Sequence, residues 1–177
     1  MKKITLVSVL ALAAIGAQAQ TYGEIGYTTV SFTDPSSSPT IKTSPKALRG
    51  LMGYEISENI AIEGIIGLGL GSDSIKVNGQ SSGANLKINS MYGVYLTPKA
   101  KLADNLEGFV RAGYMHVKGT ATDSGSSSTS SESGFSYGFG ARYALDKNMS
   151  LNVDYMSYLN KTDIKATGFT VGIGYKF

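Results

Sequence analysis

The ten residues from Gly168 to Phe177 constrain this chain more than any others. Phe169, Val171, Ile173, Tyr175 and Phe177 alternate without a break with Gly168, Thr170, Gly172, Gly174 and Lys176. A period of two defines a strand with one apolar face and one small or polar face. That apolar face needs either a packed core or a lipid bilayer against it.

The other end reads as an export leader. Lys2 and Lys3 form a positive n-region, Ile4 to Ile15 a short apolar stretch, and Ala17-Gln18-Ala19 a small-residue cleavage site. The apolar run is too short for a transmembrane helix, which takes about 20 residues. Residues 1–19 are therefore read as a signal peptide and 20–177 as one mature domain. Removing 19 of the 177 residues leaves 158, a single-domain length. Of the 16 Lys and Arg, Lys2 and Lys3 leave with the leader, so 14 face 13 acidic residues. That near-neutral balance gives no support to nucleic-acid binding. The absence of cysteine fits an exported chain without disulfides, and the absence of tryptophan leaves tyrosine and phenylalanine as the interface aromatics. No segment after the leader has the length and apolarity of a transmembrane helix, so any membrane crossing must use strands.

Alternation and turn residues predict eight strands: Tyr22 to Phe32, Ala47 to Glu55, Asn59 to Leu70, Asn85 to Leu96, Leu106 to Lys118, Gly134 to Leu145, Met149 to Leu159 and Ile164 to Phe177. Their apolar sets fix the phase. In the third strand Ile60, Ile62, Ile66 and Leu68 share a face. In the fourth, Leu86, Ile88, Tyr92, Val94 and Leu96 oppose Lys87, Asn89, Met91, Gly93 and Tyr95. Glu24, Arg49, Glu55, Glu63, Lys87, Glu107, Arg111, Arg142, Asp154 and Lys176 then all fall opposite the apolar sets. Lys118, Lys165 and His116 stand on the apolar face near loops. Periodicity leaves open which face is inside. A soluble β-sandwich or lipocalin-like barrel buries the apolar face, and a membrane barrel turns it to lipid. Glycines on the polar face and tyrosines on the apolar face favour the membrane form.

Thr33–Lys46, Gly71–Ala84 and Gly119–Ser133 are long and polar, and the serine tract from Ser124 to Ser131 is expected to be a solvated loop. Asn160–Asp163 is a short link at the same end. Ile56–Glu58 and Asp146–Asn148 are tight, and Thr97–Asn105 is expected to turn at Pro98. Short periplasmic turns and long external loops would place both termini in the periplasm.

The leader, the eight alternating segments and the ending Tyr175-Lys176-Phe177 resemble the small outer-membrane barrels of the outer-membrane protein A and outer-membrane protein X class. The segments Gly53–Asn59 and Ala144–Met149 are similar to turns of that family. The resemblance covers the mature chain and implies an all-β, eight-stranded, antiparallel up-and-down transmembrane barrel in the outer membrane. It also implies that Tyr175 and Phe177 form the signal read by the outer-membrane assembly machinery. The resemblance is to the barrel alone, so the peptidoglycan-binding role of longer members is not expected here.

An eight-stranded barrel is just wide enough inside for side chains to fill it. Glu24, Arg49, Glu63, Lys87, Glu107, Arg111, Arg142, Asp154 and Lys176 are therefore expected to form a paired charge network in the lumen. Glu107 and Arg111, four apart on one face, are expected to be bridged by a partner on a neighbouring strand. His116 has no recognisable nucleophile pattern around it, no Cys/His cluster marks a metal site, and the glycines follow strand alternation and form no phosphate loop. No cofactor is expected.

Three functions follow. The first is a non-enzymatic barrel with a plugged lumen, whose external loops meet lipopolysaccharide, outer-membrane lipids, host surfaces or other cells, or support envelope integrity. The second is a narrow porin-like channel for ions or small solutes. The third is a lipid-modifying enzyme that depends on His116.

Overall fold

The structure, a computed structural model, describes residues 21–34, 38, 41–161 and 164–177. The expected leader and its cleavage site lie outside the described residues. Ten strands follow in order: β1 (Thr21–Asp34), β2 (Ile41–Thr43), β3 (Lys46–Ser57), β4 (Ile60–Gly69), β5 (Ser72–Val77), β6 (Gln80–Ala103), β7 (Leu106–Asp123), β8 (Ser126–Ala144), β9 (Met149–Asn160) and β10 (Lys165–Lys176). Eight of them, all but β2 and β5, form a ring of antiparallel neighbours. The C-terminal strand closes it: β10 pairs with β1 from Tyr22↔Lys176 to Thr33↔Lys165. Closure gives every ring strand two neighbours, so around the apolar band its backbone N–H and C=O groups face partner strands on both sides.

The two faces of this wall are inverted relative to a soluble protein. Ile25, Val94 and Phe139 point outward and are 67%, 64% and 63% exposed, whereas Arg49 and Arg111 point inward and are 1% and 0% exposed. An apolar surface of that extent is not tolerated in water. It fits the hydrocarbon of a bilayer, and this decides between the two packings that periodicity left open. Tyr54, Tyr143, Tyr175 and Phe177 stand outward near the short turns, and Tyr92, Tyr114 and Phe135 stand outward toward the long-loop end. Those are the positions of interfacial aromatic belts.

The eight expected strands are the eight of the ring, but three connections differ from expectation. The long loops carry strands of their own: β2 pairs with β1 and β5, and β5 pairs with β6. β7 and β8 run on as one hairpin to Asp123↔Ser126, so the serine tract is paired along β7 and does not form an irregular loop. Two-residue turns set these hairpins. Asn78 (φ 51°) and Gly79 (φ +86°) join β5 to β6, and Ser124 (φ 45°) and Gly125 (φ +88°) join β7 to β8. Left-handed conformations at both central positions match the twist of the flanking strands. Pro98 does not turn the chain. It sits inside β6 opposite Ile60, and the next residue, Lys99, donates its N–H to the Asn59 carbonyl at 2.9 Å. The turn falls later, between Ala103 and Leu106.

Where ring strands pair with one another, β-bulges alter the phase at two places on the long-loop side. A register shift between Ile88 and Ser90 inserts one residue into β6. Beyond it the alternation reverses, so Ile88 is buried inside the barrel and Lys87 is exposed outside. This corrects the expected phase of Leu86, Lys87 and Ile88, because a bulge re-aims the side chains beyond it. A second shift, at Ala166/Thr167 of β10, leaves Tyr158 of β9 as the extra residue. Tyr158 and Leu159 are consequently both buried, although they are adjacent in the chain.

Val171 stands outward midway along β10. Val171→Lys is expected to lower unfolding free energy in phospholipid vesicles by about 2–4 kcal/mol, measured by urea titration; an unchanged midpoint would show that Val171 does not face lipid. The β8–β9 turn is held differently. The Asp146 carboxylate accepts the backbone N–H groups of Asn148 (2.8 Å) and Met149 (2.7 Å), and these bonds hold its pKa below the ordinary aspartate value. Because the folded pKa is the lower one, the turn's stabilisation is complete above the unfolded pKa and is lost as pH falls through the folded one. Titration of the Asp146 side chain by NMR should therefore give a value below about 3.9, and Asp146→Asn should remove that acid dependence.

Candidate functional site

Inward-facing residues divide the lumen into two tiers. The tier toward the short turns is charged. Its centre is Arg49 of β3 and Arg111 of β7, which reach across the barrel to shared carboxylates. Arg49 donates to Glu24 at 2.7 Å and to both oxygens of Asp154, one of them at 2.8 Å. Arg111 donates to Asp154 at 2.7 Å and, through Nε, to Glu63. Asn152 adds an N–H to Glu24 at 3.0 Å, and the Tyr22 hydroxyl donates to Glu63. The Arg111 guanidinium also lies 4.2 Å from the centre of the Phe109 ring. Asp154 thus joins both arginines, which would otherwise be buried like charges.

Backbone geometry makes the cluster possible. Tyr22, Gly53 and Glu63 are opposite one another on β1, β3 and β4. A Cβ on Gly53 would stand 2.2 Å from Cζ of Tyr22, so the missing side chain is what lets the ring lie across β3 and meet Glu63. Gly140 serves Phe109 in the same way, since a Cβ there would come within 2.5 Å of the ring.

A second set lies nearer the short turns. Lys99 bridges Glu55 (2.6 Å) and Glu107 (3.2 Å), Arg142 pairs with Glu107 at 2.8 Å, and Lys176 pairs with Glu55 at 2.8 Å. Arg142 reaches Glu63 at 3.9 Å and so links the two sets. Five cations, Arg49, Lys99, Arg111, Arg142 and Lys176, then face five carboxylates, Glu24, Glu55, Glu63, Glu107 and Asp154. The formal charge of the combined cluster is zero.

Eight of the nine residues expected in the lumen network come together here. Lys87 does not, because the β6 bulge turns it outward. Glu107 and Arg111 go to different partners despite their shared face. Glu55 and Lys99 belong to the cluster but were not among the expected lumen residues. Glu55 lies on the face that alternation gives it, and Lys99 follows Pro98, a residue whose turn character masks the continuing strand.

The tier toward the long loops is apolar. Ile88, Met91, Met115 and Met156 are all at or below 1% exposed and cluster with Tyr158 and Leu159, and Leu51 and Ile65 extend the same cluster down beside Glu24. Ile65, Met91 and Met156 are apolar residues on the polar face of their strands, and this was the available signal for a capped lumen.

On the outer wall, His116 Nδ1 and Ser133 Oγ are 2.7 Å apart on paired positions of β7 and β8, and the Tyr92 ring lies 4.9 Å from the imidazole. A hydroxyl therefore does stand beside the histidine, which the local sequence around His116 did not reveal. Among the described residues the ring has no second hydrogen bond to orient it, and no group of His, Asp and Glu is spaced to hold a metal ion. At the C-terminus, Tyr175 and Phe177 form an edge-on ring pair 5.4 Å apart on the outer surface, and the Phe177 N–H is bonded to the Thr21 carbonyl at 3.0 Å.

An eight-stranded closed barrel with an apolar exterior and a charged interior defines a small integral membrane barrel. The chain belongs to the outer membrane protein beta-barrel domain family, which it matches over residues 4–177, and it is an outer-membrane protein. Its fold is similar to that of Ail, the attachment invasion locus protein of Yersinia pestis, with a TM-score of 0.64, 17% identity and coverage of 90% of this chain and 99% of that one. Another Ail structure, a complex with the heparin analogue sucrose octasulfate, matches at a TM-score of 0.65 and 18% identity, covering 89% of this chain and 98% of that one. Neisserial surface protein A matches at a TM-score of 0.68 and 13% identity, covering 89% and 97%. OprG of Pseudomonas aeruginosa matches at 0.59 and 16%, covering 92% and 98%. No curated protein sequence matches the chain.

Arg111→Ala would leave buried Glu63 with the Tyr22 hydroxyl and only the distant Arg142, and Asp154 with Arg49 alone. The expected loss is about 3–5 kcal/mol of unfolding free energy, whereas Lys87→Ala should stay within about 0.5 kcal/mol. Urea unfolding of the refolded barrel measures both, and equal losses would place Lys87 back inside.

Proposed function

We propose that this chain is a non-enzymatic outer-membrane anchor. In this reading its lumen is plugged and its long-loop end, facing outward, makes surface contacts or supports envelope integrity. The observation that carries it is the pair of filled tiers. The guanidinium groups occupy the cross-section in the charged half. Met91, Met115, Met156 and Ile88 occupy the apolar half. An ion would have to displace both, and an eight-stranded barrel has little interior space beyond its side chains.

The long-loop end supports the contact role. There β1, β2, β5, β6, β7 and β8 continue the wall as a hydrogen-bonded sheet beyond the apolar band. Ordered strands present a fixed surface, which lowers the entropy lost when a ligand binds. Cell-surface or host ligands and the lipids of the outer leaflet are the partners in this reading, and nucleic acid is not. Tyr175 and Phe177 would be read by the assembly machinery after the leader is removed at Ala19.

The His116–Ser133 pair does not favour catalysis. The imidazole lacks an orienting group among the described residues, so the pair does not complete a nucleophile, base and orienter set.

Conductance of the refolded mature chain in a planar lipid bilayer tests the reading. Insertion without unitary current steps is expected. Reproducible steps would instead make the protein a narrow channel, with Arg49 and Arg111 as its constriction.

A further inference from the structure

The β6 bulge removes Lys87 from the lumen, and the place it reaches is specific. Beyond the bulge Lys87 is opposite Thr120 of β7, which is opposite Thr129 of β8. The next row toward the membrane is Ser90, Lys118 and Ser131. Lys87 and Lys118 are therefore diagonal neighbours on adjacent strands, a spacing on the order of 7–8 Å that long side chains bridge. Hydroxyls separate and flank them. Thr120 accepts from Asn89, the bulge residue, at 2.9 Å and pairs with the Thr129 hydroxyl at 2.8 Å, which holds the rows in line.

Neither lysine has a carboxylate within ion-pair distance among the described residues. The acids on neighbouring strands are engaged elsewhere: Asp73 with Thr43 and the Ser44 N–H, and Glu132 with Lys161. Two uncompensated cations on a hydroxyl-rich face attract a multivalent anion that also accepts and donates hydrogen bonds. Directly below, the same three strands carry Tyr92 and His116, then Val94, Tyr114 and Phe135. The anion site thus borders the apolar band where acyl chains lie.

From this order we propose that the outer face of β6, β7 and β8 binds the phosphorylated sugar headgroup of an outer-leaflet glycolipid. Lys87 and Lys118 take the phosphate, the Ser and Thr hydroxyls take the sugar, and the aromatic rows take the acyl chains. The proposal deepens the lipid contact suggested above and does not depend on whether the lumen conducts. A soluble polyanion would meet the same lysines but would have no use for the apolar rows immediately beneath them, so the lipid is the occupant the geometry favours.

The test compares the wild-type barrel, Lys87→Gln/Lys118→Gln and Lys46→Gln/Lys165→Gln, the last removing equal charge elsewhere on the rim. Each is refolded into phosphatidylcholine nanodiscs containing either diphosphoryl lipid A or its dephosphorylated form. Heat-dependent gel mobility reports folding, and native mass spectrometry reports retained lipid. Wild type and the rim control should retain the phosphorylated lipid preferentially, and the Lys87/Lys118 variant should lose that preference by about tenfold. Ser90→Glu keeps both lysines but sets a carboxylate between them, and it should lose the preference as well. Equal retention of the two lipids by wild type, or equal losses in the two double variants, would overturn the proposal. So would binding of sucrose octasulfate through Lys87 and Lys118 in detergent without lipid A enrichment. Planar-bilayer conductance of the same preparations keeps failure here separate from failure of the plugged-lumen reading.

Discussion

Everything in this molecule depends on the meeting of β1 with β10. In hydrocarbon a backbone group without a partner costs several kcal/mol, so a sheet can exist there only if its first and last strands pair. The strict alternation of Gly168 to Phe177 is the local expression of that need. Each inward glycine or threonine fits the crowded interior, each outward apolar residue fits the bilayer, and the register with β1 runs without a break from Tyr22 to Thr33. Once the ring is closed, the inward residues have no solvent to escape to and must satisfy one another.

They do so by complementarity of size and of charge. Glycines lie where rings cross, as at Gly53 under Tyr22 and Gly140 beside Phe109. Arginines extend over the barrel axis, where their planar forks serve several carboxylates at once. The matched count of cations and carboxylates avoids an uncompensated charge, the most destabilising element such an interior could contain. Above this layer the methionines fill irregular space between strands of different length, a role suited to an unbranched, flexible side chain.

Much of this was legible in the sequence because strand alternation survives into the barrel unchanged. All eight ring strands follow from it, as do the inward positions of Glu24, Arg49, Glu63, Arg111 and Asp154. What alternation could not show is where it breaks. A bulge has no periodic signature, so Lys87 was placed inside and Ile88 outside. Pro98 reads as a turn because it cannot donate to a ladder, yet inside β6 the chain needs no donor at that position. The Asn78-Gly79 pair was a legible hairpin signal that the polar composition of its surroundings obscured. The serine tract has composition typical of disorder, and its pairing with β7 comes from the strand it is joined to by a two-residue turn. Which carboxylate meets which guanidinium depends on the stagger between strands, which no single strand encodes.

The hairpin of β7 and β8 runs past the apolar band without a partner from β9, whose pairing with β8 ends at Tyr137↔Ser157. Along Ser126–Gly134 the ladder is therefore one-sided among the described residues. Growth or loss of this extension consequently leaves β9 untouched, while β7 keeps its pairing with β6 as far as Asn85↔Thr122. Adding or removing two residues in each arm keeps every remaining side chain on its own face and changes only the reach above the membrane. An odd number in one arm exchanges the faces beyond the point of insertion. The barrel can in this way vary its outer surface over evolutionary time in discrete steps while its interior stays the same.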